Sequence, residues 1–324
     1  MTAPENPWPS VTLLVIAYRM RATIAEAVAS ALAQTYPCEI IVSDDASGDG
    51  TFDAARAAVH GDPRVQLRSS ARNLGLCAHL NELVALAHGD IVVCMAGDDI
   101  AYPHRVQSLV EAFVANPAAQ LVGSSVDDVD AGGALIAPGV RGLPERIDQR
   151  WLLRRGKLVT VLGASMAFRR GLVAGLPPLA GSVEDNMLTL RAALLGDCLC
   201  LQQPLLRYRL HGGNLNDRVF DRSGRDYAGF ERRHRRVIAM YRDIAADQRR
   251  CVAACPALPR ERRELGLALA AMYELEADMR EAILDRPRRQ WLGPLWRGVR
   301  HPGLRRKSLE RALKLLLPRR LFGR

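Results

Sequence analysis

Two short apolar runs of this chain end in paired aspartates. They are Ile40-Ile41-Val42-Ser43-Asp44-Asp45 and Ile91-Val92-Val93-Cys94-Met95-Ala96-Gly97-Asp98-Asp99. Continuous aliphatic runs of this length are the pattern of strands buried on both faces, as in a parallel sheet. Carboxylates at the carboxyl ends of such strands stand where open α/β sheets bind their ligands. Two acidic strand ends in one crevice repel unless a cation or hydrogen-bond donors come between them. A divalent metal and a nucleotide base would meet both needs.

The flanking sequence repeats the alternation of strand and helix. Val11 to Ala17 reads as a first buried strand, and Thr23 caps a helix carrying Ile24, Ala27, Val28, Ala31 and Leu32 at helical spacing. Ser47 to Thr51 is a turn, with Thr51 capping an alanine-rich helix to about His60. A short strand from Val65 to Arg68 and a helix from Cys77 to His88 follow. After the second aspartate-tipped run, Pro103 opens a helix to about Ala115, and Gln120 to Val126 is a further strand. The expected fold class is α/β: a mostly parallel sheet flanked by helices. Residues 127–160 are Gly- and Pro-punctuated loops with room for a hairpin. Leu199 to Leu210 is extended, and His211-Gly212-Gly213-Asn214 breaks it. From about Asp226 the pattern is helical, over Phe230 to Ile244 and Arg260 to Leu284.

A chain of 324 residues can bury a large core, and an apolar fraction of 48% argues against general disorder. The net charge of +10 is unevenly placed. Arg286 to Arg324 hold thirteen Lys and Arg against one acid, Glu310, a net +12 that leaves residues 1–285 at −2. Arguments from basicity therefore apply to the tail alone. Seven cysteines, an odd number, read as reduced thiols packed as small hydrophobes, and Cys198-Leu199-Cys200 has no second ligand pair at zinc-like spacing. No apolar run approaches the ~20 residues that span a bilayer, and the polar, proline-rich start has no secretory signal pattern.

Six segments occur in a telling order: Ala31 to Pro37; Ile40 to Thr51; Arg72-Asn73-Leu74-Gly75 with Asn81; Gly89-Asp90 through Asp98-Asp99; Glu184-Asp185; and Tyr208-Arg209-Leu210-His211. In that order they resemble the family-2 glycosyltransferases, with their GT-A nucleotide-sugar-binding fold, from about Pro9 to Asn214. The resemblance implies a GT-A domain over residues 1–215. A helical extension (216–285) and a basic amphipathic tail (286–324) would follow. It implies an inverting enzyme that moves a sugar from a nucleotide-diphosphate donor, UDP-linked, to a hydroxyl of a saccharide or lipid-linked acceptor in surface polysaccharide synthesis. Donor-binding candidates are Ala17, Tyr18, Arg19, Asp44, Asp45, Arg72, Gly97, Asp98 and Asp99. Mn²⁺ or Mg²⁺ would be held by Asp98 with His211, an imidazole favouring Mn²⁺. Asp185 is the candidate base. The sequence departs from the family in one respect: Ala96 stands where the first aspartate of the metal motif is expected, so metal dependence is less firmly implied than fold.

Each candidate also has a plainer reading. Asp44 and Asp45 could serve turns and caps, Arg72 could be a surface charge, and His211 could be a loop histidine bonded to backbone. Glu184-Asp185 are residues that helix starts favour in any case. Gly163-Ala164-Ser165-Met166 suits close approach on the acceptor side, and packing explains it equally well. Two other function classes stay open: a non-catalytic nucleotide-sugar-fold protein whose Ala96 marks a decayed site, and a nucleotidyltransferase. The latter usually has a glycine-rich loop after the first strand, where this chain has Ala17-Tyr18-Arg19-Met20-Arg21.

In the tail, Leu309, Ala312, Leu313 and Leu316 share one helical face. Upstream, Trp291, Leu292, Leu295 and Trp296 alternate with arginines. This fits an interfacial helix on an anionic membrane, ahead of a docked C-terminal helix and well ahead of nucleic acid. The expected location is cytoplasmic, peripheral on the inner face of the cytoplasmic membrane.

Overall fold

The computed structural model describes residues 8–156, 158–211 and 227–316. The break expected at Gly212 to Asn214, the polar start before Trp8, and the last arginines, Arg319, Arg320 and Arg324, lie outside the described residues, as does the side chain of Leu316. The chain divides into two compact units, one of residues 1–147 and 160–210, the other of residues 148–159 and 211–324.

The first unit is built on one sheet. Strand β1 (Val11–Ala17) pairs in parallel with β2 (Glu39–Asp44) on one side and β4 (Ile91–Ala96) on the other. β3 (Val65–Ser69) extends the parallel part beyond β2. Past β4 the sheet turns mixed. β9 (Ala167–Arg169) runs antiparallel to both β4 and β6 (Ala119–Val129), and β10 (Asp197–Arg209) then runs parallel to β6. Short β5 (Ile100–Ala101) closes the path against β10, β7 (Leu135–Val140) makes a hairpin with β6, and β8 (Arg146–Ile147) pairs with β10.

Helices α1 (Ile24–Leu32), α2 (Thr51–Val59), α3 (Leu76–Leu86), α4 (Arg105–Ala115), α6 (Gly171–Ala174) and α7 (Glu184–Leu195) connect the strands. Leu13, Leu14, Val15, Ile40, Ile41 and Val93 are fully buried, consistent with strands covered on both faces. Each such side chain contributes roughly 1.5–3 kcal/mol relative to exposure.

Two caps differ from the sequence expectation. The cap of α2 is Gly50, not Thr51: the Thr51 hydroxyl bonds Asp49 Oδ1 at 2.5 Å and accepts the Met20 N–H at 2.9 Å, tying the β1–α1 loop to α2. Thr23 sits at the α1 cap, but its hydroxyl donates to Gly97 O at 3.0 Å and accepts no N–H of its own helix.

The second unit contains α5 (Gln149–Arg155) and a long helical hairpin, α8 (Tyr227–Ala254) and α9 (Arg260–Asp285). Ion pairs Arg235–Asp285 and Arg249–Glu274 show that the two helices run antiparallel. Tyr241 stacks on Tyr273 between them, with centroids 5.8 Å apart. The tail forms α10 (Leu292–Arg300) and α11 (Arg305–Ala312), and both pack on α9.

One side of the tail docks on α9, as in the alternative of a docked C-terminal helix. Trp291 is buried and donates its indole N–H to Arg286 O at 2.9 Å. Ser308 is buried against Met279, and Arg311 grips buried Glu276 with two bonds of 2.6 and 2.8 Å. Lys307 and Arg280 complete the cationic ring around that carboxylate. Burial raises the Glu276 pKa, but the Arg311 hydrogen bonds and the surrounding cations outweigh it and bring it down to about 2.

Candidate functional site

Strand β1 sits between β2 and β4, so the crevice at their carboxyl ends is the topological switch point of the sheet. The register places Ala17 opposite Asp44 and Ile16 opposite Ala96. Both aspartate tips therefore flank the end of one strand.

The first tip is tightly bonded. Asp44 accepts the Ser47 N–H at 3.1 Å and the Ser47 hydroxyl, and Ser69 Oγ lies 3.4 Å from it. Ser47 Oγ in turn accepts the Arg19 N–H at 2.7 Å. That bond holds Arg19 in the left-handed region at φ 59°, and Ala46 is there as well at φ 56°. Non-glycine residues in this region store strain, and such strain gathers at binding sites. The Arg19 guanidinium lies over the Tyr18 ring, 5.2 Å from its centroid. Asp45 accepts the Leu74 and Gly75 N–H groups, both at 2.9 Å, one on each oxygen. It thus clamps the loop that carries exposed Arg72. Behind Asp44, Ser43 Oγ bonds buried His79 Nε2 at 2.6 Å. A cleft of about 410 Å³ opens beside Asp44, lined by Ala46, Gly48, Phe52, Ser69 and Ser70 among others.

The second tip turns at Gly97. A Cβ there would stand 2.8 Å from Ile24 Cδ1 and 3.1 Å from Ala17 Cβ, so only glycine lets the chain pass this close to β1 and α1. Asp98 and Asp99 are both buried. Asp99 Oδ1 accepts the Arg209 N–H at 2.9 Å, while its Oδ2 is buried with no hydrogen-bond partner among the described residues. Burial first, and the Asp98 charge second, raise the Asp99 pKa well above the carboxylate range. Arg209 lashes this turn to its surroundings, donating to Asp98 O at 2.8 Å, to Ala131 O at 2.7 Å and to Glu26 at 2.5 Å.

Arg105, fully buried on α4, donates to Cys94 O at 2.6 Å and to Ala164 O at 2.7 Å. Burial lowers its pKa to about 10, which leaves it a cation facing Asp99. Sequence reasoning passed over it. The available signal was an arginine on the apolar face of α4, in line with Leu109.

Through Ala164, Arg105 links the second tip to the acceptor-side turn, a 3₁₀ segment Gly163–Ser165. A Cβ on Gly163 would stand 2.5 Å from Glu184 Oε1, so the missing side chain makes room for the carboxylate. Asp185 is buried, and its Oδ1, like Glu184 Oε2, has no hydrogen-bond partner among the described residues. Burial pushes Glu184 up to about 7, and burial with the Glu184 charge raises Asp185 well above its usual range. The loop before this pair is fixed from two sides. Asn81 exchanges bonds with Leu179 N and O at 3.0 and 2.9 Å, and Arg191 donates to Leu172 O and Pro177 O.

The first unit thus brings Ala17, Tyr18, Arg19, Asp44, Asp45, Arg72, Gly97, Asp98 and Asp99 to the carboxyl ends of the strands and the loops after them, and places Asp185 at the start of α7, beside the Gly163–Ser165 turn. His211 belongs to the second unit. A cavity of about 1020 Å³ lies at the other end of the strands, beside Val11, Glu39 and Val65, away from the carboxylates. No group of three or more His, Cys, Asp or Glu among the described residues forms a closed metal site. The carboxyl oxygens of Asp98 and Asp99, one of them buried and unpartnered among the described residues, fit a hard cation that completes its shell with phosphate oxygens and displaces the proton.

The pattern of Glycosyl transferase family 2 matches residues 12–175, half of the chain. The chain belongs to glycosyl transferase family 2. Among similar proteins, the putative glycosyltransferase EpsE of Bacillus subtilis is 34% identical over 140 residues, covering 42% of this chain and 50% of that protein. The succinoglycan biosynthesis protein ExoU of Rhizobium meliloti is 29% identical over 175 residues, covering 52% and 48%. The chain therefore spans about half the length of these relatives. Among solved structures, S. aureus TarS 1-349 in complex with UDP-GlcNAc superposes with a TM-score of 0.60 at 16% identity, covering 94% of this chain and 92% of that one. The mannosyltransferase PcManGT of Pyrobaculum calidifontis, in complex with GDP-Man and Mn²⁺, gives 0.50 at 19% identity, covering 97% and 91%. At these identities the superpositions establish the GT-A-like fold.

Proposed function

We propose that this family-2 chain is an inverting glycosyltransferase that moves a sugar from a UDP-linked donor to a saccharide or lipid-linked hydroxyl in surface polysaccharide synthesis. The observation that carries the reading is the pairing of an acidic switch-point crevice with a buried carboxylate, Asp185, at the start of α7, whose Oδ1 has no hydrogen-bond partner among the described residues. Relatives named for succinoglycan biosynthesis support the pathway class. TarS, bound to UDP-GlcNAc, supports the donor class.

Asp44 faces the cleft and takes the nucleoside, with acceptor capacity left after Ser47 is bonded. Asp45 holds the Arg72 loop in place for the donor. Asp98 and Asp99 lie toward the diphosphate and sugar. A divalent cation arriving with the diphosphate would be held by Asp98 and would neutralise the leaving charge. Asp185 accepts the acceptor hydroxyl proton as that oxygen bonds to the anomeric carbon. The bond from that carbon to the diphosphate oxygen breaks, and the configuration inverts. A carboxylate with a raised pKa is a stronger base than an exposed one.

The test is a screen of nucleotide sugars for thermal stabilisation and hydrolysis in the presence of Mn²⁺. A donor at 100 times its Kd should add about 2.7 kcal/mol of stability. UDP binding with no transfer or hydrolysis of any donor would instead point to a non-catalytic binding protein.

A further inference from the structure

The docked tail leaves a second face uncovered. On α10, Trp291, Leu295 and Gly298 turn inward, while Leu292 and Trp296, four residues apart, are 59% and 63% exposed. On α11 and the turn after it, Leu304 and Ser308 turn inward, while Leu309 and Leu313, again four apart, are 52% and 63% exposed. Four of the ten exposed large hydrophobic side chains among the described residues thus fall within these two short helices and the turn that follows them. Arg289, Arg297, Arg300, Arg305 and Arg306 are exposed along the same segment. Glu310 is the one acid in the sequence from residue 286 to the end.

We propose that this outer face of α10 and α11 docks on an anionic lipid surface, its arginines at the headgroups and Leu292, Trp296, Leu309 and Leu313 in the acyl boundary. The inner face serves to anchor the tail. Arg311 and Lys307 bind Glu276 on α9, which leaves the outer arginines for the lipid. The outer ion pairs, Arg297–Asp278 and Arg306–Glu310, are exposed and easily exchanged for phosphate. Arg300 lies over the Trp296 ring, 6.0 Å from its centroid, which places a cation beside the aromatic residue suited to the membrane interface.

Charge complementarity selects the occupant. Two copies of this face would oppose five arginines each. A nucleic acid would use the arginines but bury none of the four apolar side chains in base-free phosphate contacts. An anionic bilayer uses both. No helix among the described residues is long and apolar enough to cross a membrane, so the contact is one of lying on the surface. Lipid docking of this face does not depend on the donor reading.

The experiment is co-sedimentation of the full chain with vesicles of phosphatidylcholine mixed with phosphatidylglycerol, or of phosphatidylcholine alone. Binding to the mixed vesicles should be at least ~10-fold stronger, and weaken with salt. Trp296→Ser with Leu313→Ser, and separately Arg300→Glu with Arg305→Glu, should each lower it by ~10-fold or more. These side chains are exposed, so thermal melting should stay at the parent value, and donor hydrolysis should be unchanged. Three results would overturn the proposal. They are absence of binding to the mixed vesicles, equal binding by the Trp296→Ser/Leu313→Ser variant, and tighter binding to a double-stranded oligonucleotide than to the mixed vesicles.

Discussion

Glu184 and Asp185 stand side by side at the start of α7, both held where water does not reach their inner oxygens. Burial raises Glu184 to about 7 from an ordinary 4.5. A carboxyl whose folded pKa is raised binds its proton more tightly in the folded state. Its contribution to stability is therefore complete below pH 4.5 and lost as pH rises through 7. Glu184→Gln removes the charge that must be buried at high pH. Urea unfolding should show the variant more stable than the parent by on the order of 2 kcal/mol at pH 8, with the gap closing by pH 5. A variant equally or less stable at pH 8 would mean that the Glu184 carboxylate is well solvated.

At this scale the carboxylates were readable, because each sits in a local strand-end or helix-start pattern. Their bonding was not. Asp45 clamps Leu74 and Gly75, some thirty residues away, and only the fold brings that loop to it. Arg105 and His79 were missed for the same reason: their partners, Cys94 O, Ala164 O and Ser43, belong to other elements.

Among the elements, long periodic segments were readable and short ones were not. The first four strands and their helices fall close to where apolar runs and turns place them. The central strand β9 has three residues, Ala167–Arg169, too few to show a period, and it is what makes the sheet mixed. In the tail, apolar spacing marks only one of two helical faces. Leucine spacing marks Leu309 and Leu313 as the binding side, yet the docked side is set by Leu304, Ser308 and a charged residue, Arg311, whose partner Glu276 lies on another helix.

Removing the Glu276 charge leaves Arg311, Lys307 and Arg280 facing one another. Glu276→Gln should cost about 3 kcal/mol at pH 7, the usual cost of breaking a buried pair. With a folded pKa of about 2 against an ordinary 4.5, this carboxylate's contribution is present above pH 4.5 and lost as pH falls through 2. Thermal unfolding of the parent should therefore fall steeply through that window and that of the variant should not. Parallel curves would remove the ion cluster from the account of tail docking.

Across the whole molecule, the two units divide the sequence's charge as well as its fold. The family match ends at residue 175, inside the first unit, whose formal charge is −6, and the +12 of the last 39 residues belongs to the second. The nucleoside, diphosphate and acceptor sites proposed for the first unit draw on four separate stretches: the ends of β1, β2 and β4, and the start of α7. In the proposed site Ala96 leaves the metal motif one carboxylate short, so the cation's hold would depend on Asp98 and the donor's own phosphates.

The central claim is that Asp185 takes the acceptor proton while the nucleotide is held elsewhere. It is tested by measuring UDP affinity and sugar transfer for Asp185→Asn beside the parent, with Mn²⁺ present. The account predicts UDP affinity within about twofold of the parent and transfer reduced by roughly 10²–10⁴-fold. Transfer near the parent rate, or UDP binding lost together with it, would contradict the assignment.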